Sequence, residues 1–280
     1  MMRVGYLGPA GTHTEEALLA SAPDGGERVP LPSIRAAVLA VQEGAVDRAV
    51  VPIENSIEGS VNATLDALAT EAPDVTIVGE VVHAIRHCLI AREELALADI
   101  GHVASHPQAI AQCARFLREE LPQAEVVAAA STADAVRLLS ERAEPRWAAL
   151  ANRLAADLYG ARVLREDVQD QARNHTRFVW LAPVGAEPMA HDRRWKTSVV
   201  FWGGGDATPG WLVRCLAELS DRGVNMTRIE SRPRRMGLGQ YMFFVDVEGR
   251  DTVPPVSEAL AALAVHCEGI RTLGSYPAAS

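Results

Sequence analysis

Two polar segments adjoin apolar runs and carry side chains able to bind and protonate a small molecule. Segment 52–56, Pro-Ile-Glu-Asn-Ser, ends the run that begins at Arg48, and segment 174–178, Asn-His-Thr-Arg-Phe, begins the run that ends at Leu181. Amide and hydroxyl groups donate hydrogen bonds, and histidine has the intrinsic pKa nearest neutrality. Open α/β sheets bind ligands at the carboxyl ends of their strands. These residue types therefore indicate a small-molecule site.

A glycine-rich turn near the N-terminus offers further donors. Segment 8–12, Gly-Pro-Ala-Gly-Thr, precedes a helical stretch that Thr12 or Thr14 can cap. The free N–H groups and the dipole of a helix start favour an anion. The motif is neither a dinucleotide fingerprint nor a phosphate loop, so a plain cap and a ligand loop both stay open.

Two later helices repeat this pattern. Pro107 suits the first turn of one helix, whose Gln108 and Gln112 are four residues apart and share a face. Ser131 or Thr132 can cap the other. Polar side chains are thus expected at several helix starts.

The composition excludes several kinds of chemistry. Lys196 is the only lysine among 27 basic residues, and it lies in neither a Schiff-base nor a phosphate-loop context. The four cysteines are far apart, no two form a CxxC pair, and the histidines are not spaced to complete a zinc site. We therefore expect no metal and no cofactor.

Charge is unevenly distributed along the chain. Residues 1–184 carry 16 arginines and 25 acidic residues, whereas residues 185–280 carry 11 of each sign. No basic excess is left for a nucleic acid. No apolar run reaches the ~18 residues of a membrane span, and no signal sequence is apparent. We expect a soluble, cytoplasmic protein that binds neither nucleic acid nor membrane.

Strand and helix signals alternate through residues 1–183 and predict two α/β lobes. The β-rich run 75–91 is long enough to cross between them, and a cleft between lobes favours a small-molecule site. Residues 184–196 are interpreted as a linker because they combine Pro, Gly and charges. Residues 197–280 then predict a βαββαβ order, the ferredoxin-like arrangement of many sensing modules.

These motifs, in this order, resemble the prephenate dehydratase family. The resemblance also includes Gly59, Val61 and Cys113, and it extends to a C-terminal ACT domain carrying Glu230-Ser231-Arg232-Pro233. It implies a two-lobed, periplasmic-binding-protein-like catalytic domain over 1–183, with an interlobe cleft, and a regulatory ACT domain over 197–280. Since no chorismate mutase helix precedes Arg3, the monofunctional form is expected.

The family converts prephenate to phenylpyruvate with loss of carbon dioxide and a ring hydroxyl. Aromatisation drives the reaction, so an acid or donor for the hydroxyl and anchors for a dianion suffice. The resemblance implies Thr176 as the catalytic group. It implies as substrate-binding residues Thr12, Asn55, Ser56, Gln112, Thr132, Asn174, Arg177 and Phe178.

Strand alternation complicates the last motif. Asn174, Thr176 and Phe178 share one face of the strand, and His175 and Arg177 share the other. A bulge or a strand end is needed for Thr176 and Arg177 both to reach the cleft. Phe178 is compatible with packing on the substrate and with a core position.

The resemblance also implies that phenylalanine binds between paired ACT domains of a homodimer or homotetramer. The residues it implies are Gly210, Trp211, Leu212, Asn225, Glu230, Ser231, Arg232 and Pro233. Trp211 stands where the family usually has alanine, and its ring either fills the pocket or stacks on the ligand. Arogenate dehydratase and a non-catalytic two-lobed binding protein are the alternatives.

Overall fold

The computed structural model describes residues 1–21, 26–141, 146–189, 194–203 and 208–279. Within these ranges strands and helices alternate and build three sheets. The strands are β1 (Arg3–Leu7), β2 (Glu27–Leu31), β3 (Arg48–Asn55), β4 (Gly59–Ser60), β5 (Val75–Ala84), β6 (Cys88–Ala91), β7 (His102–Ser105), β8 (Glu125–Ala128), β9 (Trp147–Ala151), β10 (Arg162–Arg165), β11 (His175–Pro183), β12 (Trp195–Trp202), β13 (Met226–Pro233), β14 (Tyr241–Glu248) and β15 (Gly269–Pro277). The helices are α1 (His13–Ser21), α2 (Ile34–Gln42), α3 (Asn62–Thr70), α4 (Pro107–Gln112), α5 (Ala114–Glu120), α6 (Thr132–Glu141), α7 (Arg153–Leu158), α8 (Trp211–Ser220) and α9 (Val256–Val265).

The first sheet forms lobe one and contains the last strand of the α/β region. Its order is β2-β1-β3-β11-β5, with β4 paired to β3. Strands β1, β2 and β3 are parallel, and β11 is antiparallel to both of its neighbours. The chain therefore leaves lobe one after β5 and returns to its centre with β11.

The second sheet forms lobe two, in the order β10-β6-β9-β7-β8. Strand β7 is parallel to β8 and β9, and β6 is antiparallel to β9 and β10. The run 75–91 is divided between β5 of lobe one and β6 of lobe two. The prediction of two α/β lobes with a strand run crossing between them is thus confirmed.

The third sheet has the order β13-β14-β12-β15, and its pairs are all antiparallel. With α8 and α9 this is the predicted βαββαβ arrangement. Strand β12 begins at Trp195, two residues before the predicted start. Part of the predicted linker, residues 190–193, and the glycine-containing stretch 204–207 lie outside the described residues.

The third sheet is buried on both faces. One face packs on α8 and α9 through Val199 and Phe201. The other shares a hydrophobic core with lobe one, to which Phe244 and Tyr276 contribute. Strand β15 approaches β5 so closely that a side chain at Gly274 would meet the backbone of Ile77. The regions before and after residue 184 thus differ in net charge but pack against each other.

Two further sequence expectations concern helices and thiols. No helix in the described part of the chain is long and apolar enough to cross a membrane. The four cysteines are free, and three of them are buried.

Candidate active site

A cavity of about 790 Å³ lies between the two lobes. Residues of both lobes line it, and they include Thr12, His13, Asn55, His87, Gln112, Thr132, Thr176 and Phe178. A more open depression of about 1110 Å³ lies on lobe two alone, and no predicted site residue lines it. Charged side chains around it pair with one another, as Arg162 does with Glu94. The interlobe cavity is therefore the candidate active site.

The Thr176 hydroxyl is held in place at the cavity wall. Thr176 is 7% exposed, and the Asn55 side-chain amide donates a hydrogen bond of 2.8 Å to its Oγ1. Because Oγ1 accepts this bond, the hydroxyl hydrogen remains available as a donor toward the cavity. An oriented donor of this kind is what a departing hydroxyl needs.

Side-chain amides continue this arrangement across the cleft. Asn55 also donates to Asn174 Oδ1 at 2.8 Å, and Asn174 donates to Gln112 Oε1 at 3.0 Å. Asn55 Oδ1 accepts the backbone N–H groups of Ile57 and Glu58. Asn174 precedes β11 of lobe one and Gln112 ends α4 of lobe two, so this chain of amides joins the lobes and orients Thr176.

His87 completes the chain, although the sequence motifs did not indicate it. Its Nε2 lies 3.1 Å from Gln112 Oε1. Burial, assisted by the neighbouring His13, lowers the pKa of His87 to about 4, so the ring is neutral at pH 7. Since Gln112 Oε1 can only accept, Nε2 carries the proton. The buried Nδ1 is then an acceptor with no partner among the described residues. The presence of a histidine inside the apolar run 75–91 was the sequence feature that could have indicated His87.

The helix-start residues divide into caps and free donors. Thr12 Oγ1 donates to Leu7 O at 2.8 Å, and the Gly11 N–H donates to Glu15 at 2.7 Å. Ser131, not Thr132, caps α6, because its Oγ accepts the Asp134 N–H at 2.9 Å. Thr132 lines the cavity, and no described residue bonds its hydroxyl. Thr132 is therefore free to meet a ligand.

One predicted substrate contact, Ser56, lies elsewhere, and His175 faces away from the cleft as strand alternation predicts. Ser56 is exposed and outside the cavity wall, where its Oγ accepts the His175 N–H at 2.9 Å. Its predicted role is corrected to holding the turn after β3 against β11. His175 is also exposed and outside the cavity wall.

Arg177 lies on the opposite face of β11 from Thr176. Its three guanidinium nitrogens contact Glu54 at 3.1 Å, Glu80 at 3.0 Å and Asp246 at 2.6 Å. A bulge between Arg177 and Phe178 shifts the pairing with β3 but does not bring the guanidinium to the cavity. The prediction that Arg177 anchors the substrate is corrected, because its donors are used by carboxylates, one of them in the third sheet.

Phe178 satisfies both interpretations of its role. It lines the cavity, and it is 2% exposed within the core of lobe one.

The predicted phenylalanine-binding residues lie at the start of α8 and in or just before β13. Gly210 adopts a φ of +78° just before α8, and Trp211 is buried against Phe201 and Phe243. The Trp211 Nε1–H donates to His266 O at 2.6 Å. The ring therefore packs in the core of the third-sheet domain, and its relation to a ligand stays a prediction.

The other predicted regulatory residues differ in accessibility. Arg232 binds both carboxylate oxygens of Asp66 on α3, each at 2.9 Å, so it joins the third sheet to lobe one. Leu212 and Glu230 are half-buried, and the exposed members are Asn225, Ser231 and Pro233.

Comparison with known proteins identifies the family of this chain. The family model described as prephenate dehydratase matches residues 4–185. The chain belongs to the prephenate dehydratase family. A curated prephenate dehydratase of Mycobacterium sp. (strain KMS) is 44% identical over 99% of this chain and 89% of its own length. The enzyme of Amycolatopsis methanolica is 39% identical over 99% and 88%. Full-length similarity to these enzymes supports prephenate dehydratase activity and a place in aromatic amino acid biosynthesis.

Solved structures share the whole architecture. Prephenate dehydratase from Arthrobacter aurescens in complex with L-Phe is 39% identical, with a TM-score of 0.89 over 99% of this chain and 90% of that chain. GqqA, described as a novel type of quorum quenching acylase, is 31% identical, with a TM-score of 0.88 over 99% and 98%. The acylase description applies to GqqA. The agreement with the Arthrobacter enzyme extends through the third sheet.

Proposed function

We propose that the interlobe cavity converts prephenate to phenylpyruvate and that Thr176 donates its hydroxyl hydrogen to the departing ring hydroxyl. The hydrogen bond from Asn55 to Thr176 Oγ1 is the observation that carries this assignment. It fixes the oxygen as an acceptor and leaves the hydrogen for the substrate. Because the fold already orients the donor, no free energy is needed to reorganise it during the reaction.

The reaction balances without a redox step. The bond between the ring and its carboxylate breaks, and the electron pair enters the ring. The bond to the hydroxyl also breaks, and that oxygen leaves as water after gaining one proton. Prephenate dianion and one proton thus give phenylpyruvate, carbon dioxide and water. Thr176 stabilises the developing negative charge on the leaving oxygen and passes it a proton, which solvent then restores to Oγ1.

Neutral donors are proposed to hold the two carboxylates. No arginine or lysine occurs among the described residues that line the cavity. The starts of α1, α4 and α6 face it, as shown by the lining residues Thr12, Gln108 and Thr132. Backbone N–H groups and helix dipoles at such starts favour anions. Asn55, Gln112 and Asn174 position the donors around the reacting ring.

The third sheet is proposed to be an ACT domain that binds phenylalanine and reduces activity. The Arthrobacter aurescens relative binds L-Phe, and it covers the third sheet as well as the lobes. Asn225, Ser231 and Pro233 are exposed and available to a ligand or to a second copy of the chain. A homodimer or homotetramer with paired third sheets provides the binding site. Inhibition requires that phenylalanine bind two arrangements with different affinity.

Incubation of the purified chain with prephenate tests the catalytic proposal. We expect phenylpyruvate, detected by its absorbance in alkali, from the wild type, and a large loss of kcat in Thr176→Ala. Arogenate supplied in parallel distinguishes the amino analogue as the preferred substrate. Binding of prephenate without product would show a non-catalytic two-lobed binding protein.

A further inference from the structure

Two histidines and a glutamate meet beside the cavity. His13 and Glu16 lie on α1, and His83 lies on β5 of the same lobe. His13 Nδ1 is 3.1 Å and His83 Nε2 is 3.2 Å from the same oxygen, Glu16 Oε2. The three atoms all lie within 4.8 Å of one another. The catalytic proposal uses none of these contacts.

The donor set suits a divalent transition metal. Two imidazoles and one carboxylate form a common protein site for zinc. Tetrahedral zinc places its ligand atoms ~3.3 Å apart, which is close to the 3.1 Å and 3.2 Å that separate the two imidazole nitrogens from Glu16 Oε2.

The second imidazole nitrogen of His13 would change its role on metal binding. While Nδ1 donates to Glu16, the buried Nε2 is an acceptor with no partner among the described residues. A metal on Nδ1 would move the proton to Nε2. Metal binding at Nδ1 would therefore convert this buried nitrogen from an unpartnered acceptor to a donor.

We propose that His13, Glu16 and His83 bind a divalent transition metal ion of the zinc class at the edge of the interlobe cavity. The fourth coordination position is left to water or to a ligand in the cavity, which His13 also lines. Asn152 of lobe two donates to Glu16 Oε2 at 3.1 Å. The ion would compete with this bond between the lobes, and binding would therefore favour their separation.

Calorimetric titration of the full-length protein with zinc chloride tests the site. We expect one ion per chain in the wild type, and affinity lowered by more than about tenfold in His83→Ala and in Glu16→Gln, since even partners outside the ligand shell affect metal affinity by 10–100-fold. Zinc should also raise the Tm of the wild type and not that of His83→Ala, a comparison that requires both proteins to show cooperative unfolding.

Two controls test rival zinc ligands. His266 and Glu218 form a histidine–glutamate pair, 2.8 Å apart, in the third-sheet domain, and Cys267 is a free thiol beside it. His266→Ala and Cys267→Ser should retain wild-type affinity. Absence of binding at millimolar zinc, unchanged affinity in both cluster variants, or its loss in either control would each overturn the proposal. These outcomes are independent of phenylpyruvate formation, so the metal site and the catalytic proposal can fail separately.

Discussion

Thr176 and Arg177 are neighbours on β11, and their side chains serve opposite sides of the strand. Thr176 Oγ1 faces the interlobe cavity and accepts from Asn55, whereas Arg177 reaches across to Asp246 of the third sheet at 2.6 Å. One strand therefore connects the proposed catalytic hydroxyl with the proposed regulatory domain. A shift of the third sheet relative to lobe one would act on the backbone that positions Thr176.

Thr176→Ala should lower kcat by about 10²–10³ with a much smaller change in KM, because a donor aimed at the departing hydroxyl acts mainly in the transition state. Steady-state kinetics with prephenate measure both constants. Thr176→Ser keeps the hydroxyl and should recover much of the rate. A kcat within threefold of wild type in Thr176→Ala would assign the donor role to another group.

His87→Gln should change the pH dependence of stability. The folded-state pKa of His87 is about 4, below its ordinary value of 6.5, so its neutral form contributes stability above pH 6.5. This contribution, roughly 3 kcal/mol by linkage, is lost as the pH falls from 6.5 through 4. Urea unfolding at several pH values should show a shallower decline in His87→Gln. His175→Gln, which alters an exposed histidine, serves as the control, and equal slopes in all three proteins would contradict the assignment.

Asp246→Asn should destabilise the folded chain by about 3–5 kcal/mol, the usual effect of removing one partner from a buried ion pair. Asp246 is 1% exposed and contacts both Arg177 and Arg228. Burial would raise its pKa, but the two arginines outweigh burial and lower it. Chemical denaturation measures the loss. Glu258→Gln, an acid-to-amide change at an exposed position, should cost little, and equal effects of the two changes would discount the ion pairs.

Gly274→Ala should weaken the packing of the third sheet on lobe one. The added methyl group would meet the backbone of Ile77, which cannot move aside as a flexible side chain would. We expect destabilisation of at least ~1–3 kcal/mol, the range for overpacking, measured as a lower Tm. In Gly101→Ala the nearest neighbouring atom is 3.7 Å away, so this control should unfold near the wild-type temperature. A normal Tm in Gly274→Ala would indicate that the two strands separate readily.

Local patterns were sufficient to predict the elements, whereas the family resemblance supplied most of the cavity residues. The βαββαβ order follows from apolar periodicity and turn residues, and strand alternation placed Thr176 and Phe178 on one face. Both residues line the cavity. Alternation also separated Arg177 from them, and the structure agrees with that argument rather than with the role implied by resemblance.

Long-range partners could not be predicted in the same way. The contact between Arg177 and Asp246 spans 69 residues, and no local spacing encodes it. His87 lay in an apolar run without a recognisable motif, and its partner Gln112 is 25 residues away. Trp211 was interpreted by position in a motif, but its burial depends on Phe201 of β12 and Phe243 of β14.

The charges in the ion-pair network around Arg177 cancel only when lobe one and the third sheet are counted together. Lobe one contributes Glu54, Glu80 and Arg177, a formal charge of −1, and the third sheet contributes Asp246, Arg228 and Lys196, a formal charge of +1. Neither half is neutral by itself, and together they are. A chain that ended before β12 would retain a largely buried surplus of negative charge beneath the strand that carries Thr176. The third sheet thus supplies the positive charge that neutralises this part of the catalytic lobe, whatever ligand it binds.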